Sequence, residues 1–566
     1  MVLSNTDLNL KKRVSVVSVS KIDEQLKLMF KNAIKKAYDV EDVDVEIMIP
    51  KEKQFGDYSS NVAMKLTKVL HDRPQNIASK IIENIDLKEY GIKKFDIVGP
   101  GFINIFVDEN VIASLIATII KSGSNYGKST YGEGKSYNVE FVSANPTGDL
   151  HLGHARQAAL GDSMCRLLAF AGFKVAREYY INDLGNQINN LTLSVIARYN
   201  ELLGLTWEFP ENGYRGKDII GTAQVIIDEI GDKYKGDTGE EAFAYFKKRS
   251  TELKLDAIKK VLDDFRCHFD IWTSEKENKD KGLTELALDR LKAAGYVYEA
   301  DDATWLATTK FSDDKDRVLI KSDGDYTYFA PDIGYHADKL NRGYDYLVDL
   351  LGADHHGYIN RMKSSLQMLG YTADTLHIEI VQMVRLIKDG EELKMSKRTG
   401  NGISIQELCE EIGTDAVRYF FVARAASSHL DFDMDLATSK SNDNPVYYAQ
   451  YAYARICSIL NSAKEQGFVM DENSTLINNE KEIQLLKQLN EFPSLVVDSA
   501  ISLAPSKICN YIQKVAQLFH GYYGECRVID QDNISLSSQR LALLEATRIV
   551  LQNAFNLIAI ECKEKM

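Results

Sequence analysis

The stretch Ala144-Asn145-Pro146-Thr147-Gly148-Asp149-Leu150-His151-Leu152-Gly153-His154 limits what this chain can fold into more than any other. The segment before it, Tyr137 to Val142, alternates like a strand. The segment after it, Ala155 to Ala171, carries apolar residues at helical spacing and is closed by Gly172. A strand, a Pro/Gly-rich turn and a helix opening on two histidines suit an anion. The first amides of a helix lack internal partners and lie at the positive end of its dipole, so phosphate can sit there. Gly153 leaves room for a base or ribose against the backbone, flanked by two imidazoles.

The whole chain must be larger than one core. At 566 residues three or four domains are expected. A composition of 45% hydrophobic and 27% charged residues is ordinary for a soluble globular protein. Apolar runs such as Val111 to Ile120 stop well short of the roughly 18–20 residues a membrane span needs. Residues 1–20 have no apolar stretch followed by a cleavage site, so a cytoplasmic protein is expected, without a membrane partner. Seven scattered cysteines without a Cys-x-x-Cys pair argue against a disulfide framework and against structural zinc. The net charge of −14 does not exclude nucleic acid, because binding needs only a local basic patch.

Residues 1 to about 115 read as a small α/β domain. Ile22–Ala37 is helical in pattern, Val43–Ile49 alternates like a strand, and Lys65–Asn84 is helical again. Between them Phe55-Gly56-Asp57-Tyr58-Ser59-Ser60-Asn61 is a glycine turn leading into a helix, and Gly99 to Ile105 is a turn followed by a strand. Residues 116 to about 440 form the central piece. A strand, Val175–Ile181, ends in Asn182-Asp183, which either bind substrate or cap the next helix. Strand, helix, strand with polar residues at the strand ends is the layout of an open parallel sheet. From about 200 to 295 the chain is Lys/Glu-rich and helical, as an insertion between two halves would be. The second half runs from Ala303 through Tyr326–Gly334 to a strand at Tyr346–Leu351, followed by Gly352-Ala353-Asp354-His355-His356-Gly357. Adjacent histidines in a strand point to opposite faces, so nucleotide or substrate contact suits this cluster better than one shared metal. From about 441 to 566 the pattern is all helical, beginning at Asn444-Pro445 and carrying Tyr448, Tyr451 and Arg455, later Phe519-His520-Gly521-Tyr522-Tyr523 and Arg527. Tyrosine clusters of this kind serve either as packing or as stacking platforms for unpaired bases.

A second signature lies some 240 residues after the first: Lys394-Met395-Ser396-Lys397-Arg398-Thr399-Gly400. Three cations in five residues beside glycines make a loop able to fold over a polyphosphate and neutralise a leaving pyrophosphate. His-x-Gly-His followed at this distance by Lys-Met-Ser-Lys is the signature pair of class I aminoacyl-tRNA synthetases, and the flanking residues resemble the arginyl-tRNA synthetase family. Arg398 departs from the serine frequent there in other class I enzymes. The resemblance covers Glu140–Gln187, Tyr326–Gly357, the 394–398 loop and the helical end; the last residues, Ile558–Met566, are less like the family.

The resemblance implies a multidomain α/β protein: a Rossmann-type parallel-sheet catalytic domain between an N-terminal α/β domain that reaches the tRNA elbow and a C-terminal all-α anticodon-binding domain. It implies that Pro146, Thr147, Gly148, His151, Gly153, His154, His355, Lys394, Met395, Ser396 and Lys397 bind ATP, which arrives with Mg²⁺. His151, Gly153, His154, Lys394 and Lys397 would carry the chemistry. By the same resemblance Asn145 takes the α-amino group of L-arginine and Tyr328 and Asp332 its guanidinium, with Glu140, His154 and His356 alongside. Phe55, Asn61, Tyr448, Tyr451, Arg455, Tyr523 and Arg527 are the candidates for tRNA(Arg). The implied reaction forms arginyl-adenylate and then esterifies the terminal 2′-hydroxyl, with activation dependent on tRNA. Three rivals stand beside this one: a tRNA-independent nucleotidyltransferase, an inactive RNA-binding paralogue, and a synthetase for another amino acid. The absence of long heptads favours a monomer.

Overall fold

The computed structural model describes residues 21–48, 50, 53–355, 357–393 and 403–566. Lys394, Met395, Ser396, Lys397 and His356 therefore lie outside the described residues.

The N-terminal domain places the helices Lys21–Tyr38, Val62–Leu70 and Pro74–Glu83 against a small antiparallel sheet of β1 (Tyr58–Ser60), β2 (Ile92–Val98) and β3 (Phe102–Val107), in the order β1-β3-β2. Two expectations are corrected here. The single helix expected over Lys65–Asn84 is two, because His71 adopts a left-handed φ of 51° and Pro74 starts afresh. The strand expected at Val43–Ile49 does not form within residues 43–48. Val43 and Val45 are buried, but only Met48 pairs, through an isolated bridge to Ser59.

The central domain is built on five parallel strands in the order β11-β10-β4-β5-β6, with β4 (Ser136–Glu140), β5 (Lys174–Ile181) and β6 (Ile271–Ser274) on one side. The chain then forms a small antiparallel sheet, β7 (Val297–Ala300), β8 (Ala303–Leu306) and β9 (Arg317–Ile320). It returns as β10 (Tyr346–Gly352) and β11 (Leu376–Val381). A third small sheet, β12 (Val384–Lys388), β13 (Glu391–Glu392) and β14 (Leu430–Asp433), follows. Strand order reverses between β4 and β10. In an open α/β sheet the crevice beyond the strand C-termini at such a reversal is where ligands bind. The helix Leu152–Phe170 crosses from β4 to β5, and Gly161 lets it lie flush on the sheet: a Cβ there would stand 2.3 Å from the Phe141 ring.

The insertion has a core of its own. Leu191, Val195, Tyr199, Ile219, Ile226 and Phe246, from the helices Gly185–Leu202, Lys217–Ile230 and Glu240–Asp264, bury one another. The C-terminal domain is all helical, with long helices at Pro445–Glu465, Ser506–Glu525 and Ile534–Leu557. Its core is continuous with that of the signature helix and the N-terminal domain. Arg418 seals the join, donating to Asp162 Oδ2 of the signature helix (2.6 Å) and to the Ile558 carbonyl of the C-terminal tail (3.1 Å).

Candidate active site

The first signature lies at the C-terminal end of β4. The backbone turns sharply as it leaves the strand, with Val142 at φ 69° and Ser143 at φ 38°. Positive φ at a β-branched residue is strained, and such strain gathers where a chain is held for function. Here it is held by Tyr179, whose hydroxyl donates to the Ala144 carbonyl (2.9 Å), and by Ser143, whose hydroxyl accepts from the Tyr180 amide (3.0 Å). Asn145, Thr147 and Gly148 follow half-buried, with Pro146 buried between them.

His151 caps the helix, its Nδ1 accepting from the Gly153 amide (3.2 Å); His154 Nδ1 accepts from the His151 amide (3.2 Å). The two rings stack with centroids 3.8 Å apart. Burial, with the His151 ring beside it, pushes the His154 pKa down to about 3, so the ring is neutral under working conditions. Because Nδ1 of each ring accepts, the neutral tautomer carries its proton on Nε2. Both rings then offer an N–H donor. A Cβ on Gly153 would sit 3.2 Å from the His151 ring, a contact its hydrogen avoids.

The described residues flanking the second signature are held at two places. Leu393 closes onto β12 by donating to the Leu386 carbonyl (2.9 Å). After the residues outside the described set, Ser404 bridges to His151 and the Ile405 amide donates to the Leu150 carbonyl (2.9 Å). The chain beyond the 394–398 loop thus packs beside His151. Tethering of this kind could not be read from the sequence.

Carboxylates gather at the strand ends around Tyr180 of β5. The Tyr180 phenol is raised well above its usual range by burial and by the charges of Glu275, Asp332, Glu140 and Asp183. These four differ in what compensates them. Glu140 Oε2 accepts from Lys339 Nζ (2.5 Å) and the Tyr335 hydroxyl (2.8 Å), and its Oε1 accepts from the Ser143 hydroxyl (3.0 Å). Asp183 accepts from the Ser274 hydroxyl (2.6 Å) and the Lys276 amide (2.9 Å), so it caps the helix after β6. Burial pushes Asp332 up to about 6 despite His336 and a hydrogen bond from Tyr358, with Glu140 adding to the rise. Glu275 is likewise raised, by burial and then by Asp183. Asp332 and Glu275 are therefore the acids whose anionic forms the protein leaves least supported. Glu275 was missed in the sequence, where it is one more glutamate in a Lys/Glu-rich insertion.

Tyr328 stands four residues before Asp332 with helical backbone angles, φ −58° and ψ −22°. The helix starts at Phe329 with Tyr328 at its N-cap, and Tyr328 is 93% exposed. His355 closes the short 3₁₀ segment Ala353–His355 that follows β10, its ring 6.3 Å from that of Tyr358.

The candidate RNA contacts fall in two places. Phe55 is exposed, and Asn61 donates to Glu46 Oε2 (3.2 Å). In the turn between them Asp57 pairs with Lys487, and the Tyr58 hydroxyl accepts from Asn490 (2.7 Å) of the C-terminal domain. In that domain Tyr448 and Tyr451 lie against His520, with centroids 4.8 and 5.9 Å away. Arg455 donates to the Tyr523 hydroxyl (2.9 Å). Arg455, Tyr523 and Arg527 line one cavity of about 600 Å³. Among the described residues no cluster of three or more His, Cys, Asp or Glu could hold a metal ion, and no helix is long and apolar enough to cross a membrane.

A parallel sheet with a stacked His-x-Gly-His pair at its topological switch, and a Lys-Met-Ser-Lys sequence further along the chain, is the combination of the class I aminoacyl-tRNA synthetases. Three family models match this chain: the arginyl tRNA synthetase N terminal domain over residues 24–107, the catalytic domain of tRNA synthetases class I (R) over 115–421, and the DALR anticodon binding domain over 449–566. The chain is 50% identical over 525 residues to arginine–tRNA ligase 2 of Bacillus thuringiensis, covering 92% of this chain and 94% of that one. With the arginine–tRNA ligase of Bacillus subtilis it shares 49% identity over 554 residues, 96% of this chain and all of the other. A crystal structure of a putative arginyl tRNA synthetase from Campylobacter jejuni superposes with a TM-score of 0.75 at 35% identity, covering 81% of this chain and all of that one. The Thermus thermophilus arginyl-tRNA synthetase shares the fold, with a TM-score of 0.73 at 21% identity over 96% of this chain and all of its own. The chain belongs to the arginyl-tRNA synthetase family.

Proposed function

We propose that the chain works as an arginine–tRNA ligase through the residues assembled at the switch between β4 and β10. In the first step the carboxylate of L-arginine attacks the α-phosphate of ATP, and pyrophosphate leaves. In the second the terminal 2′-hydroxyl of tRNA(Arg) displaces AMP. No side chain forms a covalent intermediate; positioning and charge stabilisation carry the rate. The observation that supports this reading is the Ser404–His151 bridge, which ties the chain beyond the 394–398 loop to the first signature.

The roles follow from the chemistry. Pro146, Thr147, Gly148 and Gly153 leave a smooth wall for the nucleotide, while the Nε2–H groups of His151 and His154 point donors at its phosphates and ribose. Lys394 and Lys397 neutralise the leaving pyrophosphate, helped by Met395 and Ser396 in shaping the loop. His355 borders the nucleotide and His356 the amino acid. Mg²⁺ enters with ATP as its counter-ion, adding charge neutralisation on the polyphosphate. Asn145 receives the α-amino group. A guanidinium presents five donors in a rigid plane, and Asp332 with Glu275 offers it a matching pair of carboxylates. Exposed Tyr328 closes over the guanidinium plane as a wall. On the RNA side the cavity between Arg455, Tyr523 and Arg527 accepts an unstacked anticodon base, with Tyr448 and Tyr451 as stacking surfaces. Phe55 and Asn61 meet the elbow. The enzyme acts as a cytoplasmic monomer, and its activation step requires bound tRNA.

The test is charging of total tRNA with each of the twenty labelled amino acids. Arginine alone is expected to appear on tRNA, and ATP–pyrophosphate exchange is expected only when tRNA is added. A product with any other amino acid would overturn the assignment.

A further inference from the structure

The turn that carries Phe55 and Asn61 is fastened on two sides. Toward its own domain the Asp57 amide donates to the Ile105 carbonyl of β3 (2.8 Å), and Asp57 Oδ2 accepts from the Val107 amide (2.8 Å). Gly56 permits this close approach: its φ is 89°, and a Cβ there would stand 2.7 Å from the Ile105 carbonyl oxygen. The other carboxylate oxygen of Asp57, Oδ1, turns to the C-terminal domain and pairs with Lys487. One residue on, the buried Tyr58 accepts at its hydroxyl from the buried Asn490 side chain (2.7 Å). A single fastening to that domain would leave the turn free to pivot; two set its direction.

Lys487 and Asn490 both belong to the helix Glu480–Asn490, which is bound onward into its own domain. Its last carbonyls are taken up by side chains: Tyr511 donates to Gln488 (2.8 Å) and Tyr126 to Leu489 (3.0 Å). At its other end the buried Glu482 accepts from Arg540 (2.7 Å) of the helix Ile534–Leu557. Tyr511 sits on the helix Ser506–Glu525, which also carries His520 and Tyr523. At about 1.5 Å per residue those two lie roughly 14–18 Å further along its axis. The turn at Phe55 and the cavity at Tyr523 are therefore held at one separation through a pair of packed helices.

An RNA that touches both places gains from a fixed separation. Once one contact is made, the second forms at an effective concentration set by geometry, and the gain is lost where the spacing is wrong. We propose that Asp57 and Lys487 form a latch that sets the separation between the elbow turn and the anticodon cavity, so that a whole tRNA engages both together. Lys487 acts through Asp57 and is a positioning residue. This rests on the reading of Phe55 and Asn61 as elbow contacts and of the Tyr523 cavity as the anticodon site.

The Lys487 side chain is 41% exposed, so direct contact with an RNA phosphate is the alternative to be told apart. The two readings differ in what Asp57 does. Were Lys487 a phosphate ligand, removing the Asp57 charge would free the cation and leave tRNA binding equal or tighter. Removing Lys487 would then lower the salt slope of binding by about one. A latch fails in the same way from either side, and cutting it twice adds nothing. A pair this exposed contributes little to the stability of the fold, so its variants remain folded.

The experiment is charging of tRNA(Arg) by the full chain, at several salt concentrations, in wild type, Lys487→Met, Lys487→Arg, Asp57→Asn, Lys487→Met/Asp57→Asn and Phe55→Ala. An anticodon-arm hairpin, which reaches only the C-terminal domain, is added as a competing inhibitor. Lys487→Met and Asp57→Asn are each expected to raise the tRNA KM about five- to tenfold, and the double variant no further. The kcat, the arginine and ATP KM and the hairpin Ki should stay within about twofold of wild type. The salt slope should not change, and Lys487→Arg, which still pairs, should keep a tRNA KM near wild type. An unaltered tRNA KM in Lys487→Met, a normal or lower one in Asp57→Asn, or a hairpin Ki that rises with the tRNA KM overturns the latch. Should Lys487→Met fail to fold, Asp57→Asn, which keeps an acceptor for the Val107 amide, decides alone. If Phe55→Ala leaves the tRNA KM unchanged, or the hairpin does not inhibit wild type, the RNA readings themselves fail and the latch with them; if both hold and only the latch variants are silent, the latch alone falls.

Discussion

An Asp332→Asn enzyme is expected to lose about a thousandfold in kcat/KM for arginine while its unliganded fold becomes more stable at neutral pH. The first effect follows because removing one partner of a close, desolvated charge pair costs about 3–5 kcal/mol, and about 1.4 kcal/mol is tenfold in rate. The second follows from the carboxyl's environment, which pushes its pKa up to about 6 chiefly by burial. A group whose folded pKa exceeds its unfolded value adds stability below the unfolded pKa, and this is lost as pH rises through the folded one. At pH 7.5 the ionised Asp332 therefore weakens the free protein, by on the order of 2 kcal/mol after allowing for solvent screening. Asparagine removes that cost. Melting curves at pH 5 and pH 7.5 check it: the variant should gain over wild type at pH 7.5 and roughly half as much at pH 5, which lies between the unfolded and folded values. A variant that loses melting temperature along with activity would show Asp332 to be a structural residue.

His154→Ala is expected to lower kcat by about 10²–10³ while the arginine KM stays within a few-fold. A ring with its pKa near 3 does not exchange protons as an acid or base around neutrality. It acts as a fixed dipole, its Nδ1 committed to the His151 amide and its Nε2–H aimed outward. Such a donor matters most where negative charge builds, on the phosphate under attack, and little in the ground state. Single-turnover adenylate formation with tRNA present is the measurement. A rise in KM with kcat intact would mean that the histidine only binds ATP.

How much of this was legible in the sequence depends on how local the cause is. The strand, turn and helix around His151 are read to within a few residues, because Pro146, Gly148 and Gly172 punctuate the chain and the apolar spacing changes period between them. The break at His71 was missed, since a non-glycine residue in the left-handed region carries no mark in the sequence. The acids show the deeper difficulty. The pairing of Glu140 with Lys339, 199 residues away, is a fact of the fold. Glu275 looks like solvated surface until β6 carries it beside Tyr180. Tyr328 and Asp332 keep helical spacing, but that the tyrosine stays 93% exposed is set by the surrounding fold.

The central claim is that the two cationic signatures meet on one nucleotide beside an acidic site that recognises a guanidinium. A crystal structure with a non-hydrolysable arginyl-adenylate analogue and tRNA measures this directly. The account predicts the guanidinium within hydrogen-bond distance of Asp332 and Glu275, the Nε2 atoms of His151 and His154 facing the phosphate or ribose, and Lys394 or Lys397 drawn toward the pyrophosphate side. A guanidinium lying away from Asp332, or a nucleotide lying away from His151 with the 394–398 loop turned outward, would contradict it.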